Sequence, residues 1–459
     1  MRRTAPTRPV SPATTSPFRN PERATPQQMR TRAWLMLLMT ILFPGTAQLV
    51  GGNRTLGRIA IRVTLFIYAF GALALLITLI HRPWLLALLT LPLVGPVISW
   101  VVIGYAFYFF ILMVDTLRLA QLGRLFPVDK WIALTAFALV GVLGSSSLVY
   151  AGNLMRVGTS TVNEIFSRVG FTGTIDGRYN ILLVGSDAGP DRFGERTDSL
   201  SVMSIDANSG HASLIGIPRN LQKVPFVEGS PMRTIYPNGW SCGVNCLINA
   251  IYKDVMDNHQ DLYPDAVKNG SNPGIEAVRD AVEGVTGLQI QSYVQINMDG
   301  FAKLIDALGG VDVMITQDLP VGGQLDDGSD ATGWLRASDK PKHLDGYLAL
   351  WFARSRHTTT DYSRMQRQHA LENAILKQMN PSTILSRFEA IASASKNMVA
   401  TDIPAGMLGE YIDLALKAKK YGIKTLELVP ANGFEPDLPD YNKIHNAVKK
   451  FLATGKLSK

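Results

Sequence analysis

Acidic residues are missing from a long part of this 459-residue chain: between Glu22 and Asp115 there is not one. That absence argues against a water-facing fold there, because a soluble surface carries charges of both signs. Cysteine is almost as scarce, with only Cys242 and Cys246, both in Trp240-Ser-Cys-Gly-Val-Asn-Cys. Two cysteines without a neighbouring histidine pair do not complete a zinc site. They can form a local disulfide, which belongs outside the cell, or remain two buried free thiols. Internal repeats are also lacking, which excludes a solenoid. No small-residue cleavage site follows a short apolar stretch, which excludes a cleavable signal peptide.

What fills the acid-free region is apolar. Long runs cover about 33–50, 59–80, 84–114 and 131–151. A helix needs about 20 apolar residues to cross the hydrocarbon layer, so 59–80 and 131–151 are predicted to span directly and 84–114 with tilt. The 33–50 run is short and interrupted at Pro44-Gly45, and is read as re-entrant or kinked. Before it, residues 1–32 hold arginine at 2, 3, 8, 19, 23, 30 and 32 against a single Glu22, with six prolines. Such a tail buries too little to fold and is predicted to be disordered and cytoplasmic. Arg54, Arg58, Arg118, Arg124 and Lys130 lie in short loops that prefer the cytoplasm. Three spans, or five if 84–114 splits, then place the mixed-polarity remainder outside the cell, whereas four would leave it cytoplasmic. The resulting organisation is a basic tail at 1–32, a membrane region at 33–152 and one extracytoplasmic domain at 153–459. The formal net charge of +8 comes largely from the tail and inner loops and calls for no nucleic-acid partner.

In the outward half, Asn180–Gly185, Leu200–Ile205, Ala212–Ile217, Tyr293–Ile296, Val311–Ile315 and Thr425–Val429 read as strands. Helical patterns run from Pro273 to about Gly287, from Phe301 to Leu308 and from Tyr347 to Phe352, while 320–342 reads as an exposed loop. The mixture is that of an α/β domain with helices on a central sheet.

The polar residues that carry chemistry cluster at the ends of these elements. Arg354, Arg356, Arg364 and Arg367 share one short segment with Asp361 and Gln368. Guanidinium groups stay charged and match phosphate oxygens two at a time, so this density suits a polyanionic ligand, although a solvated helix face would look similar. Asp187 follows one strand and Arg196-Thr-Asp198 opens the next. Paired carboxylates there offer the oxygen ligands that Mg2+ prefers, although aspartates at strand ends are commonly turn residues. Arg219, in Ile217-Pro-Arg-Asn220, ends a third strand and can join Arg196, Arg354, Arg356 and Arg364 around a pyrophosphate.

Taken in order, Asn180-Ile-Leu-Leu-Val-Gly-Ser-Asp, Arg196-Thr-Asp-Ser, Ile217-Pro-Arg, Phe301 to Val313, His343-Leu-Asp-Gly and the Arg354–Gln368 run resemble the LytR-CpsA-Psr family over roughly 178–380. The resemblance implies an α/β/α sandwich on the outer face of the bacterial cytoplasmic membrane. It implies transfer of a glycopolymer from a polyprenyl-pyrophosphate carrier to peptidoglycan. By position, Asp187 and Asp198 would hold Mg2+, and Arg196, Arg219, Arg354, Arg356, Arg364 and Gln368 would bind the pyrophosphate. Asp361 would act as general base beside Arg354 and Arg356, with Asp187 as the alternative base. The chain departs from the family pattern in its polytopic anchor and at Leu247, which stands two positions before Asn249 where members often have lysine. Two rival readings use the same residues: hydrolysis of the prenyl pyrophosphate by water, and a non-catalytic regulator that binds the lipid.

Overall fold

The computed structural model describes residues 21–89, 91, 93–166, 173–186, 197–243, 246–322, 331–355, 360–378, 387, 390–391 and 399–456. Its contacts divide the chain into two compact units, the first comprising Met1–His81 and Leu93–Arg156, the second Arg82–Pro92 and Val157–Lys459.

The first unit is helical. Helix α1 (Pro26–Leu42) opens with a capping box, in which Thr25 and Gln28 bond each other's backbone N–H groups. It breaks at Phe43-Pro-Gly before the short α2 (Thr46–Gly51). Gly45 is required at the break: its φ is 105°, and a Cβ there would lie 2.6 Å from Ala60 Cβ. Three longer helices follow, α3 (Arg54–Leu89), α4 (Val94–Ala120) and α5 (Pro127–Ile165), and all three are long and apolar enough to cross a membrane. Their large side chains face outward, as at Phe66 and Leu79, which are 72% and 75% exposed. Polar groups turn inward: Thr40 and Thr116 share a 2.9 Å hydrogen bond, and Gln48 Nε2 donates to Thr116 Oγ1 and Leu112 O, both at 2.8 Å. This inversion suits an apolar solvent, where buried hydrogen bonds tie helices together. The segment expected at 84–114 is corrected to Val94–Ala120. Apolar residues 84–89 continue α3, and Pro96 falls in the first turn of α4, where its missing N–H has no partner to lose.

In the second unit a six-stranded sheet has the order β10-β3-β2-β1-β4-β9. Its centre is β1 (Arg178–Ser186), β2 (Thr197–Asp206) and β3 (Ala212–Ile217), with β4 (Ser292–Asn297) parallel to β1 and β10 (Ile423–Glu427) parallel to β3. Strand β9 (Val399–Thr401) closes one edge. Alternate residues of β1 serve two cores. Leu182 and Val184 pack with α6 (Ile251–Asn258), α7 (Pro273–Thr286) and α12 (Tyr441–Thr454). Tyr179 and Ile181 pack on the opposite face with α11 (Leu408–Tyr421). A strand covered on both faces reads as a continuous apolar run, as Ile181-Leu-Leu-Val does. The result is an α/β/α sandwich, as the sequence implied. In α7, Val278, Val282 and Val285 are fully buried, each contributing about 1.5–3 kcal/mol relative to exposure.

A third core gathers α8 (Met298–Leu308), α9 (Gly346–Arg354) and α10 (Asp361–Gln378) with two small sheets, β5 (Val311–Val313) with β8 (Lys342–Leu344) and β6 (Leu319–Val321) with β7 (Gly333–Leu335). The 320–342 loop reading is therefore corrected. Leu319, Val321 and Leu335 are buried in this core, but strands of three residues are too short to show an alternating pattern.

The Asp402 carboxylate is buried, accepts from the Arg279 guanidinium and takes a 2.8 Å hydrogen bond from Tyr293 N. Asp402→Ala leaves the arginine with only the longer 3.5 Å pair to Glu276 among its described ion pairs and is expected to cost about 3 kcal/mol, read as a lowered Tm of the full-length protein.

Candidate active site

Antiparallel pairing brings the end of β1, the start of β2 and the end of β3 to one edge of the sheet, with Ser186 opposite Thr197 and Leu200 opposite Ile217. The register slips between Gly185 and Ser186: Gly185 faces Ser199 and Ser186 faces Thr197, so Asp198 is the extra residue of a bulge. Bulges re-aim side chains beside functional sites. Pro218 then ends β3 and turns the chain, so that Arg219 leaves the sheet beside that bulge.

Arg219 is the hub. Its Nη1 donates to Asp198 Oδ1 at 2.8 Å, and its Nε donates to Asp361 Oδ2 at 3.3 Å. Burial acts against its charge, but the two carboxylates outweigh burial and hold its pKa above the usual arginine value. Asp361 opens α10 and also meets Arg364 Nη1 at 3.4 Å, while Arg364 Nη2 reaches Asp198 O at 3.4 Å. Asp198, Arg219, Asp361, Arg364 and Gln368 line one pocket with Tyr362 and Asn220. Two guanidinium groups and two carboxylates thus meet where two strand ends and one helix converge.

The neighbouring basic residues have other partners. Arg367 is buried and donates through Nε to Phe352 O at 2.8 Å and through Nη2 to Ser355 O. Gln368 Nε2 donates to Ala353 O at 3.3 Å. Together they satisfy carbonyls that the end of α9 leaves without helical partners. Burial and then the charge of Arg364 bring the pKa of Arg367 down to about 10. Arg354 closes α9 with its guanidinium over the Trp351 ring, 5.2 Å from the centroid, and does not line the described pocket. Asp187, Arg196 and Arg356 lie outside the described residues.

Oxygen donors surround the bulge. Ser186 Oγ and Thr197 Oγ1 are buried without hydrogen-bond partners, on paired residues next to the Asp198 bulge. Such an all-oxygen set suits Mg2+, which takes carboxylates and hydroxyls and leaves positions for phosphate. Asn249 packs below, donating its backbone N–H to Arg219 O at 3.3 Å. The loop before it brings Cys242 and Cys246 together, with Cα atoms 5.3 Å apart, a separation that suits the disulfide reading.

The residues holding α10 in place escaped the sequence reading. His369 is buried against β3 and β10, with Nδ1 3.2 Å from Glu427 Oε1 across 58 residues of sequence. Gly216 leaves room for that ring, since a Cβ there would strike His369. Gly216→Ala is expected to push α10 off the sheet and slow turnover about 100-fold, the scale of a 1 Å misplacement. Adding His369→Ala should recover most of that loss, and kinetics of the two single variants and the double variant check it.

Comparison with known proteins gives the family. The LytR_cpsA_psr family model matches residues 159–455. The chain belongs to the LytR-CpsA-Psr family. It is 26% identical over 272 residues to the polyisoprenyl-teichoic acid–peptidoglycan teichoic acid transferase TagV of Bacillus subtilis, covering 56% of this chain and 60% of that protein. It is 26% identical over 305 residues to the cell wall biosynthesis protein LcpA of Corynebacterium glutamicum, covering 59% of this chain and 54% of that protein. The chain therefore spans less than two thirds of the length of both relatives. The crystal structure of B. subtilis TagV matches 61% of this chain and 99% of its own, at a TM-score of 0.42 and 22% identity. Within the LytR-CpsA-Psr match lie every strand of the six-stranded sheet and the whole Asp198–Arg219–Asp361–Arg364 cluster.

Proposed function

We propose that this LytR-CpsA-Psr protein transfers a glycopolymer from a polyprenyl-pyrophosphate carrier to peptidoglycan, releasing polyprenyl phosphate, in bacterial cell-wall assembly. The observation that carries the reading is the pocket in which Arg219 and Arg364 face Asp198 and Asp361. Phosphoryl transfer asks the protein mainly to position groups and neutralise charge, and arginine forks at converging element ends do both. The names of the TagV and LcpA relatives support the same direction.

The roles follow from position. Arg219 and Arg364 grip the pyrophosphate oxygens, with Arg196, Arg354 and Arg356 as the further pyrophosphate-binding residues. Once phosphate claims the two arginines, Asp361 is released from both and takes the proton from an attacking peptidoglycan hydroxyl. The new bond joins that oxygen to the sugar-bearing phosphorus, and the bond to the bridging oxygen breaks, leaving on the lipid. Asp198, with Asp187 and the Thr197 and Ser186 hydroxyls, would hold Mg2+, which supplies positive charge against that developing on the leaving phosphate.

The helices α3, α4 and α5 are assigned as three membrane spans, with the N-terminus cytoplasmic and the catalytic domain outside. Lys and Arg cluster at Arg54, Arg58, Arg118, Arg124 and Lys130, on the side that positive residues favour. A disulfide in the outer domain agrees with an oxidising compartment.

The test is a transfer assay with the full-length protein, Mg2+, a labelled prenyl-pyrophosphate saccharide and a peptidoglycan fragment. Label joined to the fragment, and lost in Arg364→Ala, supports transfer. Tight lipid binding without turnover would sink it and leave a receptor.

A further inference from the structure

The helical unit buries a charge that no carboxylate answers. Arg32 on α1 is 1% exposed, and its Nε and Nη1 atoms are buried without hydrogen-bond partners. The charge that acts on it is another cation, Arg124, in the turn Leu122–Arg124 between α4 and α5. Arg124 is exposed and anchored through Nη1 to Pro21 O at 2.9 Å. Around the two arginines α1 packs on that turn, with Met29 and Ala33 in one cluster with Leu122 and Leu125.

The acids of this region can be accounted for one by one. Residues 1–21 contain none, and none lies between Glu22 and Asp115. Glu22 is exposed, Asp115 accepts from Asn53 at 3.3 Å, and Asp129 pairs with Arg30 at 3.6 Å. Glu164 lies at the far end of α5. No described carboxylate is therefore paired with Arg32. A buried guanidinium without a counter-charge is strongly unfavourable, and a second cation on the turn against which its helix packs makes matters worse unless an anion joins them.

We propose that Arg32 and Arg124 form a binding site for a phosphate group, supplied by the headgroup of an anionic phospholipid. Arginine forks match phosphate oxygens, and donors already buried lose little on binding. The site lies where α4 ends and α5 begins, the level at which membrane-crossing helices leave the hydrocarbon, so a headgroup phosphate meets the exposed Arg124 first and enters toward the buried Arg32, while the acyl chains follow the apolar exterior. This rests on the reading of α3–α5 as membrane spans. Release of the chain from the membrane fraction only by detergent tests that reading separately.

The experiment compares thermal unfolding of the full-length protein in phosphatidylglycerol and phosphatidylcholine nanodiscs, and in neutral micelles with and without inorganic phosphate. Phosphatidylglycerol should raise the Tm of the unsubstituted protein by several degrees, with no rise for Arg32→Met and a smaller one for Arg124→Gln. A rise with inorganic phosphate alone, absent in Arg32→Met, would keep the site and assign it to soluble phosphate. An Arg32→Met protein that is more stable in every condition, yet responds to phosphatidylglycerol like the unsubstituted chain, overturns the proposal. If Arg32→Met does not fold, native mass spectrometry of Arg124→Gln decides, and undiminished retention of phosphatidylglycerol counts against the site.

Discussion

Arg219→Ala is expected to lower the turnover of glycopolymer transfer by about 100- to 1,000-fold, the cost of removing one preorganised donor from a transition-state charge site. Arg219 bonds the carboxylates of both Asp198 and Asp361, at 2.8 and 3.3 Å, so its loss leaves those two carboxylates with one cation fewer. Like charges at that separation repel an incoming pyrophosphate, so affinity should fall along with rate. Arg219→Lys restores the charge without the planar fork and should recover only part of the loss, because lysine cannot bond two carboxylates or two phosphate oxygens in one plane. Steady-state kinetics on the three proteins check this. Equal turnover in all three would remove Arg219 from the reaction.

Asp198→Ala should have the second large effect, and through a different parameter. Asp198 is the bulge residue between Thr197 and Ser199 and lines the pocket. On the proposed role of Asp198 as a metal ligand, removing it weakens the metal site and also frees Arg219, so the apparent Mg2+ affinity should fall by about 10- to 100-fold while binding of the lipid pyrophosphate falls less. Asp198→Asn keeps an oxygen donor and should lie between. Activity measured against Mg2+ concentration separates these outcomes. An unchanged Mg2+ dependence in both variants would mean that Asp198 serves Arg219 alone.

Much of the fold was legible because its signals are local. Ala212–Ile217 was read to its ends, since it is apolar throughout and stopped by Pro218. The helix from Pro273 to Gly287 announced itself by proline at its first position and glycine at its C-cap. Strands β6 and β7 were missed because three residues carry no periodicity, and α4 was misplaced because an apolar run has no internal marker of where it turns. The site was legible in residue type and less so in role. Arg364 and Arg367 look alike in the sequence, yet one turns to Asp361 and the other caps α9, a difference set by helix phase and the carbonyls it meets. The His369–Glu427 pair and its dependence on Gly216 join three distant segments and leave no sequence signal.

The most direct measurement is the identity and acceptor dependence of the lipid product, followed by mass spectrometry with a defined prenyl-pyrophosphate saccharide. Polyprenyl monophosphate should appear in equal amount to a new phosphodiester on the peptidoglycan fragment, and only when the fragment is present. Polyprenyl monophosphate formed at the same rate without the fragment, together with free phosphosugar, would contradict transfer and make the protein a pyrophosphate hydrolase.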